Sequence, residues 1–102
     1  MGAEKLRAMV AEATVDAYGE EEQALGWECA LEEHLELPFR TKVLGVEVAV
    51  ERVELRADNR IVAICTRGRD RQAIALADLP IPSPAPAGAD WITAYRHFLG
   101  ER

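Results

Sequence analysis

Asp16, Glu20, Glu21 and Glu22 lie within seven residues of one another, around the flexible Gly19. Carboxylates gathered in this way are ligands for a hard divalent cation. Calcium takes about six to eight oxygens, mostly carboxylate and carbonyl, in forgiving geometry. The EF-hand pattern of alternating oxygen side chains before a glycine and a distal Glu is absent. Further along, Glu28 and Glu32 stand four apart, and Glu21 precedes Glu28 by two helical turns, with no Lys or Arg among them. From Met1 to Glu36 ten carboxylates face two cations, a local charge of −8, whereas the remainder sums to +2. Each like-charge pair at helical spacing costs about 0.2–0.5 kcal/mol, which a cation or a basic partner would recover. Charge pattern alone favours a plainer reading, a solvated helix face whose acidic first turn complements the helix dipole.

Other chemistries find less support. Zinc prefers Cys and His, and the chain offers only Cys29, His34, Cys65 and His97; the first two, five apart, point about 140° away from each other on a helix. No Ser-centred elbow is present. A nucleophilic Cys65 would have to act from an apolar strand, whereas a reactive thiol needs access and a lowered pKa. Cys29 and Cys65 are 36 positions apart in unlike contexts and read as buried free thiols rather than a disulfide or a metal knuckle. Gly45, Gly68 and Gly88 are isolated turn glycines, not a phosphate-cradling loop. Arg52, Arg56, Arg60, Arg67, Arg69 and Arg71 form a second set. Stacking aromatics are missing beside them and the acidic third would repel phosphate, so they are expected to pair with Glu51, Glu54, Asp58 and Asp70. No enzymatic activity, nucleic-acid partner or membrane partner is expected.

The elements that must position these groups can be read from apolar periodicity. Leu6, Met9, Val10, Ala13 and Ala17 predict a helix from Ala3 to Tyr18, ended by Gly19. A second helix starts at the Glu20 to Glu22 run, with Ala24, Trp27, Leu31 and Leu35 as its core stripe, and Pro38 stops it by Glu36. Phe39 to Leu44 reads as a strand. Val46, Val48 and Val50 then alternate with polar residues, and Val53 and Leu55 resume out of phase, which predicts one long strand with a bulge near Arg52. Ile61 to Cys65 and Gln72 to Leu76 are further strands, separated by turns at 57–60 and 67–70. The alternating prolines from Pro80 to Pro86 lack backbone donors and form a stiff strap. The strap leads to a last helix, Asp90 to Leu99, with Asp90 as N-cap and Trp91, Ala94, Tyr95 and Phe98 turned inward.

The expected fold is therefore α+β. It consists of a small antiparallel sheet or partly closed SH3-like barrel, with two N-terminal helices and one C-terminal helix. With 102 residues, 49% of them hydrophobic and 29% charged, a single domain is expected over 1–102. Its parts are an acidic helical segment at 1–36, a sheet at 39–79, the strap at 80–89 and a helix at 90–100. Neither a secretory signal nor an apolar run of about 18 residues is evident, and the expected location is cytoplasmic.

Taken in order, Val15 to Phe39, Ile61 to Pro82 and Pro86 to Gly100 resemble the CcbP-type family of small acidic bacterial calcium-binding proteins. The resemblance spans about nine-tenths of the chain. It is carried by the Asp16-Ala17-Tyr18-Gly19-Glu20-Glu21-Glu22-Gln23 turn, the Leu-x-x-Pro-Phe stop, the Ile-Val-Ala-Ile-Cys strand, the Asp-Leu-Pro-x-Pro strap and the Trp-x-x-Ala-Tyr-Arg-His helix. It implies calcium binding through surface carboxylates, without EF-hands, as an intracellular buffer or sensor. The ligands it implies are Asp16, Glu20, Glu21 and Glu22, with Glu28 and Glu32 as further candidates from the charge pattern, and Asp58 if the fold brings its turn toward the helical acids. Asp78 joins them if the fold brings its turn toward the helical acids. The alternative is an interaction module whose acidic face docks a basic protein without a specific metal.

Overall fold

A computed structural model of the chain describes residues 2–101. The elements follow the order α1 (Ala3–Ala13), α2 (Glu20–His34), β1 (Phe39–Val43), β2 (Val46–Leu55), β3 (Ile61–Arg67), β4 (Asp70–Ala75), a 3-10 turn (Leu76–Asp78) and α3 (Asp90–Gly100). The expected α+β class holds. Strands run in the order β1-β2-β3-β4, each antiparallel to its neighbour, as an open sheet rather than a closed barrel.

The phase slip in β2 is the bulge its sequence implies. Val50 faces Cys65 and Arg52 faces Ile64, which leaves Glu51 as the extra residue and keeps both Val50 and Val53 on the core side. The apolar side of the sheet packs against the helices through Phe39, Val50, Val53, Ile61, Ala63 and Cys65. At the centre lies Trp27, fully buried, whose ring meets Trp91 and Tyr95 edge-on and tilts against Phe98. Tyr95 also ties α3 to the sheet: its hydroxyl accepts from the Ile61 N–H at 3.3 Å.

Three local expectations are corrected. First, α1 ends at Ala13, not Tyr18. The Thr14 hydroxyl donates to the Val10 carbonyl at 2.7 Å, and Asp16 turns into the left-handed region at φ 56°, a conformation that ends a helix. Second, the position preceding α3 is Ala89, with no side-chain cap; Asp90 lies in the first turn and instead pairs with Lys5 at 2.8 Å. Third, Cys29 is exposed, and only Cys65 is buried. The strands at the β3–β4 hairpin also reach further than expected, to Arg67 and Asp70, so the turn shrinks to Gly68-Arg69.

Helices α1 and α2 meet backbone to backbone. A Cβ on Gly26 would lie 2.1 Å from the Ala13 carbonyl oxygen, so the glycine permits the close approach that fixes the acidic corner between the two helices. The proline strap is held along its length. Thr41 donates to the Pro80 carbonyl at 2.7 Å, Arg96 donates to the Leu79 carbonyl, and the Glu36 N–H donates to the Ala87 carbonyl at 2.9 Å. Among the described residues, no helix is long and apolar enough to cross a membrane.

Candidate metal site

The corner between α1 and α2 spans residues 14–19 because α1 stops early, and it holds its acids in the open. Asp16, Glu20, Glu21 and Glu22 are all exposed. The last three form the first turn of α2, which has no side-chain cap, so their charges lie at the positive end of the helix dipole. That placement explains how three consecutive carboxylates are tolerated.

One of them meets a partner from far along the chain. Glu20 and Asp58, 38 positions apart in sequence, line the same cleft of about 410 Å³, together with Arg60, Ile61, Tyr95 and Leu99. Asp58 is held in place by its own turn: its Oδ1 accepts from the Arg60 N–H at 3.0 Å, while Asn59 takes φ 65° and donates its N–H to the Arg56 carbonyl. The second Asp58 oxygen makes no hydrogen bond to a described residue. No thiol or imidazole lines this cleft, so its donors are all oxygens, which suits calcium and not zinc. Arg60, the one positive side chain among the described residues that line the cleft, forms no ion pair with a described residue.

The other expected ligands are placed differently. Asp16, Glu21 and Glu22 share the corner but do not line the cleft. Glu28 and Glu32 begin about 12 and 18 Å further along the helix axis from Glu20 and belong to no common site with it. Glu28 is committed elsewhere: its Oε2 accepts from the Leu55 N–H at 2.8 Å. The reason lies in the sheet, because β1 pairs with β2 only as far as Val50 and leaves the end of β2 without a neighbour on that side. Glu28→Ala would strand the Leu55 N–H, and we expect a loss of about 1–3 kcal/mol in urea unfolding, with Glu28→Gln largely spared. Asp78, exposed in the 3-10 turn, lies beside Ala77 of the cleft wall but does not line the cleft. Among the described residues, no three His, Cys, Asp or Glu side chains are gathered closely enough to hold an ion as they stand.

The arginines divide into two groups. Arg52 and Arg56 pair with Glu54 at 2.7 and 3.7 Å, and Arg40 with Glu47 at 2.9 Å. Glu51 instead accepts from the Thr66 hydroxyl. Arg67, Arg69 and Arg71 take no carboxylate partner among the described residues, against the expectation that Asp70 and its neighbours would neutralise them. Burial pushes the Cys65 thiol pKa up, which disfavours its thiolate.

A family model described as calcium binding, of the CcbP type, matches residues 7–75. The fold is shared with the crystal structure of Anabaena CcbP, with a TM-score of 0.73, 21% identity, and coverage of 97% of this chain and 92% of that one. It is shared equally with a calcium-binding protein in its calcium-binding form, with a TM-score of 0.73, 20% identity, and coverage of 99% and 97%. No curated protein matches.

Proposed function

Starting from the fact that this chain belongs to the CcbP family of calcium-binding proteins, we propose that its calcium is taken at the mouth of the Glu20–Asp58 cleft. Asp16, Glu21 and Glu22 supply the surrounding negative field, and the protein serves as an intracellular calcium buffer or sensor. The observation that carries this reading is the convergence of two carboxylates from distant parts of the chain on one cleft. Bound calcium supplies a divalent charge that offsets the repulsion among these acids.

Each residue then has a separate task. Asp58 offers an oxygen from a turn whose backbone is already fixed by its other oxygen. Glu20 approaches from the opposite wall on the first turn of α2. Water and backbone carbonyls complete the shell, as calcium commonly allows. Two carboxylates are fewer than a tight calcium cage provides, so closure of the α2 start toward the 57–60 turn accompanies binding. Arg60 opposes it and must swing outward. Glu28 and Glu32 lie outside this site and act as structural and solvated acids, respectively.

Calorimetric titration of calcium into metal-stripped protein, in physiological salt with excess magnesium, tests the assignment. Saturable binding should persist against magnesium and fall at least about tenfold, or about 1.4 kcal/mol, in the Glu20→Gln, Asp58→Asn double variant. A Glu28→Gln, Glu32→Gln variant should bind as the parent does. Equal losses in the two variants would remove the cleft as the site and return the acids to a diffuse face. A thermal shift gives an independent readout, since a hundredfold excess of ligand over Kd adds about 2.7 kcal/mol of stability.

A further inference from the structure

The core side of the sheet is longer than the helices that cover it. Strand register places Val43 opposite Val46 and Thr41 opposite Val48, on the same side as the buried pair Phe39 and Val50. Near the β1–β2 and β3–β4 turns this apolar side continues past the helices and opens into a cleft of about 340 Å³. Its floor includes Val43, Val46, Val48 and Ile74, and Arg67, Asp70 and Arg71 also line it, two positive side chains to one negative. At the tip beside it Leu44 is 99% exposed, at φ 51°, and Val46 is 40% exposed. The rim arginines have no ion-pair partner among the described residues. A surface of this kind asks for a partner that is apolar at its centre and anionic around it.

The same chain displays such a surface elsewhere. The remaining large hydrophobic side chains that stand exposed are Val15 at 68%, Tyr18 at 85% and Leu25 at 52%. Val15 and Tyr18 flank Asp16, and Leu25 follows Glu21 and Glu22 by one helical turn. Thus the described exposed hydrophobics fall into two groups, one set among carboxylates and the other among unpaired arginines. The two groups occupy different parts of the fold, the first at the helical corner and the second at the hairpin end of the sheet.

We infer that copies of this chain associate head to tail, with the acidic corner of one copy, led by Tyr18 and Val15, seated in the arginine-rimmed cleft of the next. The contact is heterologous, so it propagates into chains or a ring instead of stopping at a two-fold dimer. Because the corner also borders the calcium cleft, bound calcium and the neighbouring copy's arginines compete for one negative field. Calcium therefore loosens the association, and by linkage association weakens calcium binding by the same factor. This last step rests on the calcium assignment proposed above; the contact itself does not.

Sedimentation of the full, metal-stripped chain over a range of concentrations provides the test. The parent should show concentration-dependent association that grows beyond a dimer. An Arg67→Glu, Arg71→Glu variant should be monomeric, as should an Asp16→Lys, Glu21→Lys, Glu22→Lys variant. Mixing the two variants restores association, because each inverted surface meets its inverted complement, and that recovery also shows both are folded. Excess calcium should weaken parental association by about tenfold, within the usual range of coupling between sites. A parent that stays monomeric at every concentration overturns the inference and leaves the cleft to a different acidic partner. So does a failure of the mixed variants to associate. Calcium-insensitive association with the charge-swap pattern intact supports the contact and counts instead against calcium at the corner.

Discussion

Trp27→Ala lowers the stability of the fold by about 3–5 kcal/mol, the usual cost of removing a large aromatic from a close-packed core. Small domains hold only about 5–15 kcal/mol in total, so the variant should be largely melted at physiological temperature, as urea unfolding followed by circular dichroism would record. The size of the effect comes from position. Trp27 is fully buried, with ring centroids 5.5 Å from Tyr95 and Phe98 and 6.3 Å from Trp91. It therefore joins α2, which begins with Glu20, to α3, whose Tyr95 lines the same cleft. Loss of the indole uncouples the two walls of the site as well as the core. Its buried Nε1–H has no hydrogen-bond partner among the described residues. An orphaned buried donor costs about 1–3 kcal/mol, so Trp27→Phe recovers much of the lost stability by removing that donor while keeping a ring.

Gly88→Ala is expected to be comparably severe, about 4 kcal/mol or more, a size reserved for backbone and core violations. Two independent costs combine there. Gly88 sits at φ +81°, where an L side chain is strained, and a Cβ would lie 2.0 Å from the His34 carbonyl oxygen and 2.8 Å from the Leu35 Cα. Neither neighbour is the free end of a flexible side chain. Both belong to the C-terminal end of α2, which is further fixed by the Leu35 N–H donating to Leu31 and by His34 stacking flat on Trp91 at 4.5 Å. The strap would have to lift away, taking with it the Glu36–Ala87 hydrogen bonds. Thermal unfolding of Gly88→Ala beside Gly45→Ala separates the two costs. Gly45 has the same sign of φ but open space around it, and should lose only about 1–2 kcal/mol.

Periodicity carried the fold wherever burial and hydrogen bonding asked the same thing of a residue. The displaced valines of β2 announced the bulge because a slip in a two-residue repeat must be absorbed somewhere. The proline run and the stop at Pro38 were legible for a similar reason, since a missing N–H leaves the backbone few options. Misreadings occurred where a small side chain mimicked the pattern. Ala17 extended the helical repeat of α1 toward Tyr18, yet an alanine buries too little to hold a turn, and Thr14 and Asp16 ended the helix through local bonding and backbone geometry. Asp90 looked like a cap because of its type, whereas its carboxylate found Lys5 across the fold. The candidate site divides in the same way. The acids of the corner are visible as a cluster in sequence, but the meeting of Glu20 with Asp58 depends on how α2 docks on the sheet. No local pattern encodes that approach. The bond from the Leu55 N–H to Glu28 was equally hidden, since it follows from β1 being shorter than β2.

The two thiols give the protein an internal clock. Cys29 stands in solvent on α2, while Cys65 lies beneath the helices on β3 with burial holding its proton on. A maleimide or disulfide reagent therefore marks Cys29 readily and reaches Cys65, 3% exposed where it lines the cleft at the hairpin end of the sheet, only when the packing around it opens. Within one molecule, the ratio of the two labelling rates reads the population of that opened form, with reagent concentration and pH affecting both sites together. Followed as calcium is added, the same ratio would register whether the ion tightens the fold, without any engineered probe.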